Sequence, residues 1–186
     1  MEKKSLFKIF GLAAFFVLVG AGCTVATQNI GSTTQSGSRT ISSGIGSTDI
    51  KQAPAFSLKD YNGKTVSLSD FAGKPILVNS WAVWCPFCVR ELADFAKVQK
   101  EFGDKVTIIA IDRAESLTVA KTFTDDLGLS DDLIFLLDPK DSFYRSIGGF
   151  SMPETILVNG DGQTVFHKRG PMDLIEIRQR INNLIN

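Results

Sequence analysis

Trp84-Cys85-Pro86-Phe87-Cys88 lies between an apolar run, residues 75–83, and an amphipathic run, residues 89–102. This order predicts a buried strand, a tight turn and a helix. Two cysteines separated by two residues at the start of a helix lie about one turn apart, so their sulfurs can close a disulfide. The first cysteine stands at the helix N-terminus, where free backbone N–H groups and the macrodipole favour a thiolate. Because a thiolate attacks disulfides and a thiol does not, this placement predicts redox chemistry.

Two other uses of the cysteine pair have to be weighed. A zinc site needs four ligands, and besides Cys85 and Cys88 the chain offers only Cys23 and His167 as cysteine or histidine ligands. A purely structural disulfide is the second alternative. The C-x-x-C spacing at a strand-to-helix junction favours the redox interpretation over both. We therefore expect no metal and no cofactor, and we interpret His167 as a surface strand residue.

The composition is that of a globular protein of one domain with additional segments. The chain has 186 residues, of which 44% are hydrophobic, and 20 basic residues balance 20 acidic ones. A net charge of zero gives no basic surface for nucleic acid, so we expect no nucleic-acid partner.

Residues 1–22 have the pattern of an export signal. Lys3, Lys4 and Lys8 precede an uncharged and largely apolar stretch, residues 9–22. That stretch is short for a transmembrane helix, which needs about 20 apolar residues.

Small residues, Gly20-Ala21-Gly22, stand directly before Cys23 and resemble a bacterial lipobox. The resemblance implies cleavage before Cys23 and lipidation of that cysteine, although Gly20 stands where a lipobox usually has leucine. An ordinary cleaved signal and a retained N-terminal anchor are the alternatives. Each of the three predicts a domain outside the cytoplasm, and the first and third predict one held at a membrane.

Residues 23–52 are predicted to be the lipidated cysteine and a flexible linker. The segment is rich in Ser, Thr, Gly, Gln and Asn, contains no aromatic residue and has only scattered aliphatic ones. The composition changes at Ala53, so the folded domain is predicted to cover residues 53–186.

Strand and helix patterns alternate through that domain. Besides the elements around the cysteines, strands are predicted at 55–58, 65–68, 106–111, 134–137, 154–158 and 163–167, and helices at 116–127, 142–147 and 171–185. The β-branched run at 106–111 predicts a central strand that is covered on both faces. The buried faces are predicted to hold Leu92, Phe95, Ala96 and Phe102 in the first helix, Leu117, Ala120, Phe123 and Leu127 in the second, and Leu174, Ile177, Ile181 and Leu184 in the last.

The motifs together resemble those of a known family. Residues 81–88 look like the W-x-x-W-C-x-x-C site of the thioredoxin superfamily, and residues 53–56 and 68–75 are similar to the TlpA-like branch of membrane-anchored thiol-disulfide oxidoreductases. Residues 151–155, Ser-Met-Pro-Glu-Thr, match the cis-proline loop of that family. The resemblance implies an α/β thioredoxin fold, a central mixed β-sheet flanked by helices, with an added N-terminal β-hairpin.

The resemblance also implies roles for individual residues. Cys85 would be the attacking nucleophile, being nearer the helix N-terminus and more exposed, and Cys88 the resolving cysteine. The Met152–Pro153 peptide bond would be cis, since a cis bond is costly except before proline. The residues expected to contact substrate are Trp84, Pro86, Phe87, Met152 and Pro153; for Trp84 the alternative is core packing, and for Pro153 an ordinary trans turn.

Two positions depart from thioredoxin itself. Asn79 stands six residues before the first cysteine, where thioredoxin has a buried aspartate. Glu91 follows Cys88 by three residues, on the same face of the predicted helix. We expect Glu91 to be partly buried, with a raised pKa, and to act as a proton shuttle. A solvated surface carboxylate is the alternative.

The predicted function is that of an extracytoplasmic thiol-disulfide oxidoreductase which exchanges electrons with cysteines or disulfides of client proteins. A membrane redox partner is expected if the chain acts as a reductant, as in cytochrome c maturation; oxidative folding of exported proteins is the opposite direction. A thiol peroxidase is disfavoured because Val78 and Ala82 replace the Pro and Thr/Ser that such enzymes require. A Sco-like copper-delivery module and a binding-only lipoprotein with a structural disulfide are the remaining alternatives.

Overall fold

The computed structural model describes residues 51–186. The predicted signal segment 1–22, Cys23 and all but the last two residues of the predicted linker lie outside the described residues. The predictions for these segments therefore stay predictions.

Seven strands and four α-helices follow one another along the described part of the chain. They are β1 (Ser57–Asp60), β2 (Thr65–Ser67), β3 (Ile76–Trp81), α1 (Pro86–Phe102), β4 (Thr107–Arg113), α2 (Leu117–Asp126), β5 (Ile134–Asp138), α3 (Ser142–Ser146), β6 (Glu154–Val158), β7 (Thr164–Arg169) and α4 (Leu174–Ile185). Short 3₁₀ turns cover Leu68–Phe71 and Gly103–Lys105. Every strand and helix predicted from the sequence is present, with ends that differ by at most three residues.

The strands form one mixed sheet in the order β2-β1-β5-β4-β3-β6-β7. β3, β4 and β5 are parallel to one another, whereas β1, β2, β6 and β7 each pair antiparallel. β4 lies in the middle, and its residues 108–112 are buried, as the β-branched run predicted. This is the thioredoxin-type α/β architecture that the resemblance implied.

Two hydrophobic clusters cover the two faces of the sheet. One contains the cysteine pair and is built from the buried faces of α1, α2 and α4. The other contains Phe143 of α3 and apolar residues in and around the N-terminal hairpin of β1 and β2. All six residues of β3 are buried, so the strand that leads to the cysteines is fixed from both sides.

The ends of α1 are set by local chemistry. Pro86 occupies its first turn, where a missing N–H is harmless and the fixed φ suits a helix. Gly103 ends the helix at φ 56°, a conformation that glycine adopts readily. The Gln99 side chain donates to the carbonyls of Gly103 and Val106 and accepts from the Ile108 N–H, which joins the end of α1 to β4.

The predicted buried face of α2 is partly wrong. Leu117 and Leu127 are 43% and 40% exposed, whereas Ala120 and Thr124 are fully buried. Thr124 is accommodated because its hydroxyl lies 3.1 Å from the Lys121 carbonyl and 2.7 Å from the Ser130 hydroxyl. In the other helices the inward faces are as predicted, except that Phe102, Leu174 and Leu184 are only half-buried and Val98 and Glu91 are buried as well.

Among the helices of residues 51–186, none combines the length and the apolar character that crossing a membrane requires.

Candidate active site

A disulfide joins Cys85 and Cys88, whose Cα atoms lie 5.3 Å apart. Cys85 is the N-cap of α1, and its Sγ accepts the Cys88 N–H at 3.2 Å. The Cys85 sulfur therefore lies where unpaired backbone donors and the positive end of the helix dipole stabilise a thiolate.

The expected difference in exposure between the two cysteines is very small. Cys85 is 2% and Cys88 0% exposed, and both belong to the hydrophobic cluster that contains Trp81 and Leu92. The physical reason is coverage by that cluster, whose members come from several elements of the fold. The order of exposure is as predicted, but nearly all of the Cys85 side chain is covered in the disulfide form.

Exposed aromatic side chains flank the buried disulfide. Trp84 is 63% and Phe87 48% exposed, and the Arg90 guanidinium lies 5.1 Å from the Phe87 ring centroid. The core-packing alternative for Trp84 is wrong, since Trp81 is the buried tryptophan. The surface beside the disulfide is therefore apolar and aromatic, as a protein-contacting surface often is.

Glu91 is a buried carboxyl one turn beyond Cys88. It is only 2% exposed; its Oε1 accepts the Met172 N–H at 2.8 Å and its Oε2 accepts Asn79 Nδ2 at 3.1 Å. Burial raises the pKa of Glu91 to about 8, although both hydrogen bonds act in the opposite direction. The predicted burial and raised pKa are confirmed, and the surface alternative is wrong.

Asn79 connects Glu91 to β6, the strand that begins directly after Pro153. Its Nδ2 donates to Glu91 and, at 2.9 Å, to Thr155 Oγ1, while its Oδ1 has no partner in the described structure. An amide can rotate so that its oxygen accepts from a protonated Glu91 and from the Thr155 hydroxyl. Asn79 can thus pair with Glu91 in both protonation states without adding a charge.

A cleft of about 390 Å³ opens beside Glu91. Phe87, Arg90 and Asp94 of α1 line one side, and residues 171–173 line the other. Glu91 is itself part of the lining, so a proton on its carboxyl has a path to solvent.

The Met152–Pro153 peptide bond is cis, as the resemblance implied. The Pro153 carbonyl accepts the Gly170 N–H, and the Tyr144 hydroxyl donates to the Ser151 carbonyl at 3.0 Å. Phe150, just before this loop, is 83% exposed. The sequence analysis did not identify Tyr144 or Phe150, because neither stands in a recognisable motif.

Glu154 is a second buried carboxylate near this loop. It is fully buried, and its Oε1 accepts Arg169 Nε at 3.0 Å and the Phe150 N–H at 3.2 Å. His167 lies 3.8 Å from the same oxygen on the edge strand β7, half-buried rather than at the surface. Burial lowers the pKa of His167.

Two further acids, Glu115 and Asp112, lie on the other side of the active-site turn. Glu115 Oε2 accepts the Val83 N–H at 3.0 Å, and Asp112 Oδ1 accepts the Glu115 N–H at 3.1 Å. The sequence analysis missed both acids. A signal was available: Asp112 lies near the carboxyl end of β4, the central parallel strand next to β3, and Glu115 follows that end by two residues. This is the edge at which α/β proteins place their sites.

Metal ligation has no support within residues 51–186. No group of three or more His, Cys, Asp or Glu side chains is arranged there to hold an ion.

The model of the Redoxin family matches residues 49–181 of the chain. The chain is 32% identical over 141 residues to the thioredoxin-like protein YneN of Bacillus subtilis, covering 74% of this chain and 81% of the relative. It is 31% identical over 131 residues to the thiol-disulfide oxidoreductase ResA of the same organism, covering 70% and 72%.

Among solved structures, the exposed lipoprotein thioredoxin Etrx1 of Streptococcus pneumoniae superposes with a TM-score of 0.61 at 28% identity. The match covers 70% of this chain and all of Etrx1.

Proposed function

This chain belongs to the Redoxin family and is a thiol-disulfide oxidoreductase of the thioredoxin fold, and we propose that it exchanges electrons with protein cysteines outside the cytoplasm through Cys85 and Cys88. One observation carries the proposal: Cys85 caps the N-terminus of α1 and is disulfide-bonded to Cys88 in the next turn. A structural disulfide needs no such position, whereas an attacking thiolate gains from it.

The exchange follows from the two positions. In the reduced protein the Cys85 thiolate attacks one sulfur of a client disulfide, and the other client sulfur leaves as a thiolate that takes up a proton. Cys88 then loses its proton and attacks the Cys85 sulfur, so the Cys85–Cys88 disulfide forms and the second client thiol leaves. Two electrons pass from this protein to the client; oxidation of a client dithiol is the reverse sequence.

Glu91 is the group proposed to take up the Cys88 proton. It is buried one helical turn from Cys88, and its pKa of about 8 is near that of an ordinary thiol. The adjacent cleft gives it access to solvent.

Client binding is proposed to use the exposed aromatic side chains and the cis-proline loop. Trp84 and Phe87 offer exposed apolar surface. Pro86, Met152 and Pro153, the last after a cis peptide bond, are proposed to offer backbone and side chains to the client. An extended client segment that contains a cysteine fits such a surface.

A location in the cell envelope is supported by two independent observations. The N-terminal residues carry the pattern of an export signal followed by Cys23, and the relative Etrx1 is named an exposed lipoprotein. In this proposal the lipid on Cys23 holds residues 23–52 at the membrane, within reach of a membrane redox partner. Cytochrome c maturation and oxidative folding of exported proteins are the two processes in which such an enzyme would act.

The roles of the two cysteines can be separated with oxidised glutathione as the probe. Reduced Cys88→Ser is expected to form a stable Cys85–glutathione adduct, detected by mass, at a rate at least tenfold above that of Cys85→Ser. Equal rates, or a faster Cys85→Ser variant, would contradict the assignment. If the disulfide were only structural, Cys85→Ala would lower the Tm without any change in turnover, because the wild type would then have none.

The direction of electron flow can be decided from the equilibrium potential of the Cys85–Cys88 pair. A value near that of thioredoxin, about −270 mV, would indicate a reductant that receives electrons from a membrane donor. A value near about −120 mV would indicate an oxidant of exported proteins.

A further inference from the structure

Hydrogen bonds that join Asp112, Glu115 and Val83 connect the end of β4 to the turn that carries Cys85. Asp112 is the sixth residue of β4 and lies opposite Trp81 of β3 in the sheet. Glu115 follows three residues later and accepts the Val83 N–H, while its own N–H donates to Asp112 Oδ1. Val83 is the second residue of the Ala82–Cys85 turn, which is closed by the Cys85 N–H and the Ala82 carbonyl at 3.1 Å. A side chain from the loop after β4 thus holds the turn that carries Cys85.

Asp112 cannot be an ordinary carboxylate in this position. Its side chain is fully buried, and Oδ2 has no hydrogen-bond donor. A buried, unpaired carboxylate oxygen is costly, whereas a protonated one can donate. The Glu115 carboxyl is the neighbouring acceptor: the Glu115 N–H donates to Asp112 Oδ1, and after burial the Glu115 side chain is the next cause of the raised pKa of Asp112. A proton shared by the two carboxyl groups would give Asp112 Oδ2 a hydrogen-bond partner. The second oxygen of Glu115 would still accept the Val83 N–H.

The backbone between the two acids supports the arrangement. Ala114 has φ 61°, a left-handed conformation that is uncommon for a residue with a side chain. Its N–H donates to the Asp138 carbonyl at 3.1 Å. This conformation turns the chain back after β4, and Glu115 is thereby directed to the Val83 N–H. Such strain persists only where surrounding contacts hold it, and it is commonly found at functional sites.

The other titratable groups around Asp112 reinforce retention of the proton. Burial is the largest cause of its raised pKa, followed by the Glu115 carboxyl and the charge of Asp138 on β5. Tyr61, between β1 and β2, also faces the pair, and burial raises its pKa too. The guanidinium of the next residue, Arg113, forms two hydrogen bonds with Asp141.

We propose that Asp112 and Glu115 form an acid pair that shares one proton, and that this pair positions the Ala82–Cys85 turn through the Val83 N–H. While the proton is present, Glu115 holds the turn. When it is lost, the two carboxylates repel each other and the hold on Val83 weakens. The pair positions the turn from the side opposite to Glu91, the proposed proton acceptor of Cys88. Of the tests below, only the kinetic one rests on the proposed role of Cys85.

The first test observes Val83 directly and needs no exchange activity. In the oxidised full-length chain Cys85 and Cys88 do not titrate, and Glu91→Gln removes the other buried carboxyl with a raised pKa. The Val83 amide chemical shift, followed by NMR from pH 5 to pH 10, is expected to show one step above neutral pH in this variant. The step is expected to disappear in Glu91→Gln/Asp112→Asn, because asparagine keeps the donor but cannot ionise.

Either of two results would overturn the proposal. A Val83 step of equal size in both variants would assign the titration to a group other than Asp112. A flat profile in Glu91→Gln would mean that no proton is shared on this side of the turn.

The second test asks whether the contact matters to exchange. Glu115→Ala removes the acceptor for Val83 and is expected to slow formation of the Cys85–glutathione adduct about tenfold, the usual loss for a hydrogen bond to a charged group. Glu115→Gln keeps an acceptor oxygen and is expected to restore most of the rate. Glu101→Ala, an exposed acid paired with Arg178 near the far end of α1, is the control.

The kinetic result is separable from the cysteine assignment. If Glu115→Ala forms the adduct as fast as Glu101→Ala while Cys85→Ser forms none, the positioning role is wrong and the function of Cys85 stands. If Glu115→Ala fails to fold, the Val83 titration in the Asp112 variants still decides whether the pair exists.

Discussion

At the scale of single residues, the unusual feature is an amide beside a buried acid. Asn79 stands where thioredoxin carries an aspartate, and it donates to Glu91, which is the titratable group on this side of the disulfide. In the proposed mechanism the proton acceptor therefore lies on the helix that contains Cys88 and not on the strand before the cysteines. In this position the carboxyl lines the cleft beside α1.

Replacing Glu91 should change the pH dependence of the resolving step. Starting from the Cys85–glutathione adduct, closure of the disulfide by Cys88 is expected to show an inflection near pH 8 in the wild type. In Glu91→Gln the inflection should be absent and the rate at pH 8 about tenfold lower or more, because a positioned base is lost. Rapid-quench measurements from pH 5 to pH 10 would show this.

Asp94→Asn is the matched control for that experiment. Asp94 lines the same cleft one turn later but is paired with Lys97 at the surface, so its loss should leave the profile unchanged. An unaltered profile in Glu91→Gln would contradict the shuttle.

Replacing Asn79 with aspartate, the residue that thioredoxin has at this position, should destabilise the protein. Asn79→Asp would place a second carboxyl 3.1 Å from Glu91 with both groups buried, and we expect a loss of about 3 kcal/mol near neutral pH. Denaturant unfolding would measure it, and Asn182→Asp on the exposed face of α4 serves as control. If the cause is repulsion, Asn79→Asp/Glu91→Gln should recover most of the loss; no recovery would assign it to packing.

At the scale of elements, the cis-proline loop depends on contacts with α3. A Cβ at Gly149 would overlap the Tyr144 ring, whose other face carries the Arg113 guanidinium at 3.4 Å and whose hydroxyl donates to Ser151. Neither face of the ring has room to move. The loop that follows is therefore held against α3 by one aromatic side chain.

Gly149→Ala tests this support. We expect a loss of about 1–3 kcal/mol in the free energy of unfolding, typical of overpacking. In a double-mutant cycle, Tyr144→Leu should relieve the loss because the ring is gone, whereas Tyr144→Phe should not because the ring remains. Equal effects of Gly149→Ala in both backgrounds would show that the ring does not cause the constraint.

At the scale of the whole molecule, two buried acids make stability depend on pH. Glu91 has an ordinary pKa of 4.5 and a folded pKa of about 8, and the pKa of Asp112 is raised as well, both mainly by burial. For an acid with a raised folded pKa, the stabilising effect is complete below its ordinary pKa and is lost as the pH rises through the folded one. The oxidised protein should therefore become less stable from about pH 5 to pH 9, by several kcal/mol.

Chemical denaturation at a series of pH values measures this trend. Glu91→Gln/Asp112→Asn should flatten the dependence, since neither replacement ionises, whereas Glu101→Gln/Asp94→Asn should leave it as in the wild type. A wild-type stability that does not fall over this range would mean that both acids are already ionised in the folded protein.

The sequence by itself determined the order of strands and helices and the position of the cysteine pair at a strand-to-helix junction, which follow from local periodicity and from turn and capping chemistry. The cis-proline loop and the buried Glu91 were implied by the resemblance of contiguous motifs to a known family. The N-terminal signal and lipidation are likewise read from contiguous residues and await their own test.

Only the tertiary structure decided how the site is held. Glu91 and Met172 are 81 residues apart, Asn79 and Thr155 are 76 apart, and Glu115 and Val83 are 32 apart. No local pattern encodes such pairs, because they exist only once β3, β4 and β6 lie side by side in the sheet. The near-complete burial of Cys85 and the inward Thr124 have the same origin: side-chain exposure depends on what other elements cover, which periodicity within one element does not specify.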